Sequence, residues 1–288
     1  MVRVLAAGLL ALSIPLALWA GVPEERAVAH LSREVPAWFA ENRCYSCHNN
    51  GDAARALLLA RAHGYGVADG ALAGTLEWLR HPERWDSNRG DVRFSDKDLA
   101  RLQFSVALVA AGGKVPVEAL VRMQASDGAW HVAGEEGVSS PVTWGTALAT
   151  ALVRGVIVEA NPAAAKRAEE YLRGLALGST VDAAAVLLAI PGDKAAREYL
   201  LGAVTSDGAW GAKPHVPAEA FDTAMAMLAL QGVEEPPHEV LRRGRAWLVA
   251  HQLEGGGWPE TTRPSGGTSY AQHVSTTAWA LMALLGAQ

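Results

Sequence analysis

The chain has 288 residues, of which 50% are hydrophobic and 19% are charged, so it can bury a large core and is too apolar for a disordered protein. Its formal net charge is −5, and it contains no long run of lysine and arginine. Because nucleic-acid binding needs a basic surface, we do not expect a nucleic acid as a partner.

The N-terminal segment is apolar. An uncharged run of 19 residues follows Arg3 and ends at Val22. A positive charge before a short apolar run is typical of a secretory signal peptide, and this run also approaches the length that spans a bilayer. We therefore expect residues 1–22 to be a signal peptide or an N-terminal membrane anchor. Residues 23–288 would then form a single exported domain, periplasmic or held at the inner membrane.

Cys44 and Cys47 are the only cysteines of the chain, and with His48 they spell C-x-x-C-H. In this pattern each thiol can form a thioether with one porphyrin vinyl group, and the adjacent histidine becomes an axial ligand of the iron. The pattern therefore predicts a covalent c-type haem held by Cys44, Cys47 and His48. A disulfide, a free dithiol or half of a zinc site are the alternatives.

Three stretches further along resemble one another: QASDGAW at 124–130, VTSDGAW at 204–210 and QLEGGGW at 252–258. Each follows an amphipathic helical pattern and precedes, after a polar loop, a helical pattern made almost wholly of small and apolar residues. Amphipathic helices suit an outer surface, whereas uniformly apolar helices suit a buried position. Weaker copies of the same unit complete six helix pairs, whose second helices are predicted to begin near residues 52, 101, 143, 181, 219 and 274.

The last apolar helix ends in ALMALLGAQ and has no polar face of the kind that caps an open solenoid. We therefore predict an all-α chain that closes into an α/α toroid of about six helix pairs, with inner and outer helix rings. In this arrangement the C-x-x-C-H motif occupies the first outer-to-inner turn, where other repeats have a Gly-x-Trp turn.

The turns QASDGAW and QLEGGGW resemble the Q-x-x-x-G-x-W turns of the squalene–hopene cyclase and protein prenyltransferase superfamily. The resemblance implies the toroid fold over residues 24–288. The chain lacks the Asp-x-Asp-Asp tetrad with which class II cyclases protonate their substrate. Asp222 and His273 correspond in place to two zinc ligands of the prenyltransferases, but Ala224 stands where the cysteine ligand would be. The resemblance therefore implies the fold of the superfamily without its complete catalytic signatures.

A sixth ligand of the haem iron is expected among the loop histidines. Ring closure sets the sixth helix pair beside the first, so His273 is predicted as the second axial ligand and, with His48, as a metal ligand. His131 is the next candidate. The alternative for both is a solvated loop histidine.

Several other residues of the inner helices are open to two interpretations. Asp222 is expected to be an N-cap or first-turn acid that interacts with the helix dipole. The aromatic residues Trp144, Phe221 and Trp279 either pack in the core or line a cavity for an apolar ligand.

Together these features favour an exported toroid protein with a covalent haem, serving electron transfer or small-ligand redox chemistry with a redox partner protein. One alternative is a terpenoid cyclase-like enzyme, or a binder of a small apolar ligand, without haem. Another is a protein-binding scaffold with a Cys44–Cys47 disulfide. The sequence leaves open whether the chain is an enzyme.

Overall fold

The computed structural model of the protein describes residues 22–88, 96–132, 139–263 and 266–286. These residues form twelve α-helices and one 3-10 helix, Pro82–Ser87, and they contain no strand. The odd-numbered helices lie outside: α1 (Pro23–Asn42), α3 (Asp69–Leu79), α5 (Val117–Met123), α7 (Pro162–Arg173), α9 (Lys194–Gly202) and α11 (His238–Ala250). The even-numbered helices lie inside: α2 (Asn49–Ala62), α4 (Lys97–Ala110), α6 (Gly145–Ile157), α8 (Thr180–Ala189), α10 (Ala220–Gln231) and α12 (Tyr270–Gly286).

The inner helices form a closed ring. Each contacts the inner helices that precede and follow it in the chain, and α12 contacts α2. The outer helix α1 packs against both α2 and α12 at the point of closure. The predicted all-α toroid of six helix pairs is therefore confirmed, and the observed inner helices begin close to the predicted positions.

The composition of each helix explains its layer. The outer helix α7 buries only one stripe, formed by Ala164, Ala165, Ala168 and Leu172, while its charged residues face solvent. The inner helix α10 is buried almost all round, because Ala, Met, Leu and Thr dominate it. An amphipathic helix gains stability from one buried face, whereas an apolar helix needs neighbours on every side.

The turns that end in tryptophan join consecutive outer helices. In the last of them the Gln252 side chain donates hydrogen bonds to the carbonyls of Gly256 and Pro23, both at 2.8 Å. Gly256 has a φ of 91°, and a Cβ atom there would lie 2.3 Å from the carbonyl oxygen of Arg26. Only glycine tolerates both the positive φ and the close approach of the Arg26 carbonyl. The hydrogen bond from Gln252 to Pro23 fastens the end of α11 to the start of α1.

The turn at 204–210 carries Val204 in place of the glutamine, and the sequence predicts that it has lost a side-chain hydrogen bond. The structure shows a replacement. Thr205 Oγ1 donates to the carbonyl of Ala209 at 3.1 Å, and Arg243 of α11 donates to the carbonyl of Ser206 at 2.7 Å. The turn is therefore still fastened to the next outer helix, by a different pair of groups.

The turn tryptophans anchor the layers to each other. Each indole N–H donates to a leucine carbonyl ten residues earlier, in the preceding outer helix, and each backbone N–H donates to a threonine hydroxyl of an inner helix. The indole pairs are Trp130 with Leu120, Trp210 with Leu200, and Trp258 with Leu248; the backbone partners are Thr150, Thr223 and Thr277.

No helix among the described residues is both long and apolar enough to cross a bilayer. The predicted signal peptide or anchor, residues 1–22, lies outside the described residues except for Val22.

Candidate functional site

The C-x-x-C-H motif lies in the segment between α1 and α2. Cys44 is buried, Cys47 is half-buried, and the two are free thiols in the structure. Cys47 Sγ lies 3.7 Å from His48 Nδ1. Burial raises the pKa of Cys47 to about 12 and lowers the pKa of His48 to about 4. At neutral pH the Cys47 thiol therefore keeps its proton and the imidazole is neutral, a combination that makes the thiol a poor nucleophile.

The motif is held by packing within the protein. The Tyr45 ring is stacked between Phe39, at 4.4 Å between centroids, and Trp78, at 5.0 Å. The Asn50 side chain accepts a hydrogen bond from the backbone N–H of Ser46 at 2.9 Å. These contacts hold the motif against the outer helices α1 and α3 and against the start of the inner helix α2.

The structure places His273 on α12 against α1 and the last tryptophan turn. Its ring meets His30 edge-on at 5.1 Å, and its Nδ1 atom lies 3.4 Å from a carboxylate oxygen of Glu260. A Cβ atom on Gly257 would lie 2.7 Å from His273 Nε2. Both ring nitrogens are thus directed at the segment 257–260.

The other candidate ligand, His131, is exposed, and its Nε2 atom lies 2.8 Å from Asp127. Among the described residues, no group of three or more His, Cys, Asp or Glu side chains has the arrangement of a metal site.

A buried carboxyl group lies inside the ring. Asp52, in the first turn of α2, accepts hydrogen bonds from Arg55 Nη1 at 3.1 Å and from the indole N–H of Trp279 at 3.0 Å. Burial raises the pKa of Asp52 to about 7, against the opposing effect of Arg55. Because desolvation disfavours the charged form, Asp52 holds its proton at pH values where an exposed aspartate has lost it.

Aromatic rings from three inner elements meet at Trp279, which itself contacts this carboxyl group. Trp279 meets Trp144 edge-on at 6.4 Å and Phe221 at 6.0 Å, and the Arg55 guanidinium lies 4.6 Å from the centroid of the Trp279 ring. All three aromatic side chains are buried. We call Asp52, Arg55, Trp144, Phe221 and Trp279 the lumen cluster.

The backbone of Trp144 is strained. Its φ is 58° and its ψ is −46°, and the N–H of Gly145 donates to the carbonyl of Thr143 at 2.6 Å. This is a γ-turn with positive φ, a rare conformation for a bulky residue that costs about 1–3 kcal/mol. The Trp144 indole N–H is buried and has no acceptor within hydrogen-bond distance among the described residues, yet it lies close enough to Asp52 to help lower the pKa of that carboxyl group. The strained residue therefore directs its donor towards the carboxyl group of the lumen cluster.

A second buried carboxyl group lies in the first turn of α10. Arg263 Nη2 donates to both carboxylate oxygens of Asp222, at 3.1 and 2.9 Å, and its Nη1 atom lies 3.5 Å from Glu219. Burial raises the pKa of Asp222 to about 7, against the opposing effect of Arg263. The N-cap of α10 is Glu219. Asp222 is thus a first-turn acid that binds an arginine of the following loop, not an N-cap.

Sequence reasoning missed Asp52, Arg55 and Arg263. The signal that could have found the first two is a charged pair, three residues apart, in an inner helix that is otherwise rich in alanine and leucine. Arg263 stands in a polar loop, where an arginine carries no comparable signal.

Comparison with known proteins places the chain among terpene cyclase-like folds. Residues 189–288 match the family model of the squalene-hopene cyclase C-terminal domain. A stretch of 82 residues is 34% identical to a terpentedienyl-diphosphate synthase of Kitasatospora griseola, and it spans 27% of this chain and 16% of that synthase. The chain therefore matches only a small part of this relative.

Solved structures extend the likeness to nearly the whole chain. A protein from Actinoplanes has a TM-score of 0.60 at 20% identity, over 92% of this chain and 98% of that one. A type II terpene cyclase from Scytonema, in complex with geranylgeranyl dihydroxybenzoate, has a TM-score of 0.59 at 15% identity over the same shares. At this level of identity the likeness shows the fold.

These similarities correct the expected function. The predicted function in electron transfer or small-ligand redox chemistry is wrong, because the matching family model, the synthase and the Scytonema cyclase all point to a terpene cyclase-like protein. None of them tests the haem-binding roles assigned to Cys44, Cys47, His48 and His273, or the iron-ligand roles of His48 and His273, and these stay predictions. The chain has the α/α-toroid fold of the terpene cyclases, and its C-terminal third resembles the C-terminal domain of squalene-hopene cyclase.

Proposed function

We propose that the toroid takes up an apolar isoprenoid molecule in its lumen and protonates one of its double bonds, with Asp52 as the acid. The observation that carries this proposal is the position of Asp52, a buried carboxyl group with a pKa of about 7 beside buried aromatic rings. A general acid is most effective when its pKa lies near the working pH. The likeness to terpene cyclases supports the same class of reaction.

The chemistry balances without a cofactor. The π electrons of a terminal double bond take the proton of the Asp52 carboxyl group, which leaves a carboxylate and a tertiary carbocation. The π electrons of a second double bond in the same molecule then form a carbon–carbon bond to this cation and close a ring. Loss of a proton from the final cation to water ends the reaction, and Asp52 regains a proton from solvent. The net reaction is an isomerisation.

The aromatic rings of the lumen cluster would stabilise the cation. The faces of indole and phenyl rings carry negative charge density, and a desolvated cation over such a face gains about 2 kcal/mol. Trp279 already holds the Arg55 guanidinium in this way. Trp144 and Phe221, edge-on to Trp279, would present further rings to a cation between them.

Entry of a ligand requires movement, because the rings of the lumen cluster are packed against one another. Trp144 is the residue best suited to move. Movement of Trp144 would relieve the backbone strain of its γ-turn, and this gain partly offsets the packing contacts that the side chain loses.

A second candidate function is binding without reaction. It is favoured by the 3.1 Å contact between Arg55 and Asp52, because a guanidinium stabilises the carboxylate and so opposes proton donation. In that case the lumen would hold an apolar ligand unchanged.

The experiment incubates the purified chain with geranylgeraniol or squalene and analyses the extract by gas chromatography and mass spectrometry. We expect isomers of unchanged mass, and a rate that falls about 10²–10⁴-fold in Asp52→Asn. Asp182→Asn is the matched control, since Asp182 also lies in the first turn of an inner helix, outside the lumen cluster. Equal rates in wild type and Asp52→Asn would remove Asp52 as the acid. Saturable binding without product would favour the second candidate.

We also propose that residues 1–22 direct the chain to the periplasm, either as a cleaved signal peptide or as an anchor in the inner membrane. The uncharged run that follows Arg3 and ends at Val22 supports this. The test is fractionation of an expressing bacterium followed by mass analysis of the recovered chain. Recovery of the full-length mass in the cytoplasmic fraction alone would contradict it.

A further inference from the structure

We infer that water molecules bound between α12 and α2 join Asp52 to solvent and return a proton to it after each turnover. We call this route the proton path, and its protein residues are Asn49, Gln272 and Thr276. The inference rests on the proposed function, because it says how the acid of that reaction is restored.

The need for a separate route follows from the position of the acid. The Asp52 side chain is 1% exposed, and in the proposed reaction it loses its proton while the lumen holds an apolar molecule. An apolar molecule in the lumen excludes water from that side. The next proton therefore has to reach Asp52 between the helices.

The helix α12 carries polar side chains on the face that leads to Asp52. Gln272 and Thr276 are four residues apart, and Trp279 follows three residues later. This spacing places all three on one face of a helix. Trp279 donates its indole N–H to Asp52 at 3.0 Å, so this face is the one turned towards the acid. Gln272 and Thr276 are buried on it, nearer to the start of the helix.

The facing residue on α2 is Asn49. It precedes Asp52 by three residues, which places the two side chains on the same side of α2. Ser275 of α12 donates its hydroxyl to Asn49 Oδ1 at 3.3 Å, and both residues are fully buried. One helical turn from the bond between Trp279 and Asp52, polar groups of α12 and α2 therefore meet a second time.

These polar groups are not fully paired within the protein. Asn49 Nδ2, Thr276 Oγ1 and Gln272 Oε1 are buried and have no hydrogen-bond partner among the described residues. An unpaired buried polar group costs stability, and ordered water is its usual partner in proteins. The amide N–H₂ donates, the amide oxygen accepts and the hydroxyl does both. Together they can hold a chain of water molecules in which each accepts one proton and donates another.

Unpaired groups of this kind cluster around the helix that carries the acid. Within the described parts of the inner helices, they lie only in α2 and in its two neighbours in the ring, α4 and α12. Ordinary gaps in hydrogen bonding would be spread over all six helices, so the cluster points to water held beside Asp52. The residues are Asn49 in α2, Gln103 and Ser105 in α4, and Gln272 and Thr276 in α12.

The outer end of the path lies at Arg263 and Glu219. Gln272 donates a hydrogen bond to the carbonyl of Arg263. Arg263 Nε, Arg263 Nη1 and Glu219 Oε2 are buried and have no hydrogen-bond partner in the described part of the chain, so water can bind here as well. The Glu219 side chain is 36% exposed, which brings this group into contact with solvent.

The proton transfer balances with water alone. A hydronium ion at the outer end gives its excess proton to the first bound water and becomes water. Each bound water takes a proton on its oxygen and passes another to the next. The last water protonates a carboxylate oxygen of Asp52, which becomes neutral. Asn49, Gln272 and Thr276 hold the water and keep their own protons, so they are positioning residues.

Infrared spectroscopy tests the proton path without a substrate. The carbonyl band of a protonated aspartate shifts when deuterium replaces its proton, and the band that Asp52→Asn lacks belongs to Asp52. After rapid transfer of the full chain to deuterium oxide, below the pKa of Asp52, we expect exchange about ten-fold slower in Thr276→Val. Valine keeps the shape of threonine but binds no water. Thr276→Ser should restore the wild-type rate.

The matched control is Thr180→Val. Thr180 is a buried threonine at the start of the inner helix α8, and its hydroxyl already donates to the carbonyl of Gly211 at 2.6 Å. Its loss should leave the exchange rate of Asp52 unchanged. Asn49→Leu is a second variant of the path and should also slow exchange. Wild-type exchange in both Thr276→Val and Asn49→Leu overturns the inference, and so does slow exchange that Thr276→Ser fails to restore.

Turnover tests the role of the path in the reaction. The first turnover uses the proton already on Asp52, whereas each later one needs a new proton. After rapid mixing with geranylgeraniol, Thr276→Val should form one equivalent of product per chain at the wild-type rate and then continue about ten-fold more slowly. Later turnovers at the wild-type rate overturn the inference and leave the proposed function standing. Absence of product from wild type overturns the proposed function, while the infrared exchange rates still decide whether the proton path exists.

Discussion

Asp52 and Asp222 are two versions of one arrangement. Both lie in the first turn of an inner helix, both are buried, and burial raises the pKa of each to about 7. Their partners differ. Asp52 is bound by Arg55 of its own helix and by the indole of Trp279 on α12, whereas Asp222 is bound by Arg263, 41 residues further along the chain.

The difference separates two uses of a buried carboxyl group. Asp52 joins the aromatic cluster, where its proton lies beside groups that stabilise a cation. Asp222 fastens a loop to an inner helix and shares its arginine with Glu219. Similar pKa values therefore do not imply similar roles, and the surroundings of each carboxyl group decide what it does.

The largest expected difference concerns stability. Arg263→Met should lower the free energy of unfolding by about 3–5 kcal/mol, because it leaves Asp222 buried beside Glu219 without a compensating charge. Arg55→Met should cost less, about 1–3 kcal/mol, since Asp52 keeps the hydrogen bond from Trp279. Urea denaturation measures both changes. The double variant Asp222→Leu, Arg263→Met should recover most of the stability that Arg263→Met loses. Equal losses in Arg263→Met and Arg55→Met would contradict the difference between the two sites.

Asp52 and Asp222 should make the stability of the protein depend on pH in the same way. An unfolded aspartate loses its proton near pH 3.8, whereas folded Asp52 keeps it up to a pKa of about 7. Between these values the folded chain binds more protons, so the contribution of Asp52 to stability falls as the pH rises from about 4 to 7 and is constant above that window. Asp52→Asn removes this change. Urea titrations give the free energy of unfolding of wild type and variant at each pH. The wild-type value minus the variant value should fall by a few kcal/mol as the pH rises from about 4 to 7.

Asp222→Asn should show the same change in relative stability between about pH 4 and pH 7, since burial raises the pKa of Asp222 to the same value. A flat difference for either residue would mean that its arginine keeps the carboxyl group ionised throughout.

The smallest expected effect is specific to Asp52. Trp279→Phe removes the 3.0 Å hydrogen bond from the indole to the carboxylate but keeps an aromatic ring. We expect a loss of about 1 kcal/mol in unfolding free energy and a further rise in the pKa of Asp52, because this bond stabilises the charged form. The pH profile of product formation should move upward with it. A profile that stays in place would show that Trp279 does not tune the acid.

The fold could be predicted from the sequence because its signals are local and repeated. Helix periodicity, the glycine of each turn and the tryptophan that follows it recur along the chain, and each inner helix is marked by its lack of charge. Ring closure also followed from composition, since an apolar last helix requires a neighbour. Details such as the hydrogen bonds of Thr205 and Arg243, which replace those of a glutamine at one turn, have no signal in the sequence.

The candidate site could not be predicted in the same way. The hydrogen bond from Trp279 to Asp52 joins residues 227 positions apart, and no local pattern marks such a pair. The strong local motif at Cys44–His48 also drew the functional interpretation to the wrong class of protein. A short motif shows which groups are neighbours in the sequence, whereas a functional site depends on which groups the fold brings together in space.

The bond from Gln252 to the carbonyl of Pro23 has a consequence for biosynthesis. The first outer helix leaves the ribosome before the turn that fastens it, which is made more than 200 residues later. Until then α1 and α2 lack α12, their neighbour on one side, and the ring stands open at an apolar face. Contacts of such long sequence separation form slowly, so an apolar face of α1 and α2 stays exposed until α12 has joined them. Chaperones that bind apolar surface should therefore associate with the chain until the ring has closed.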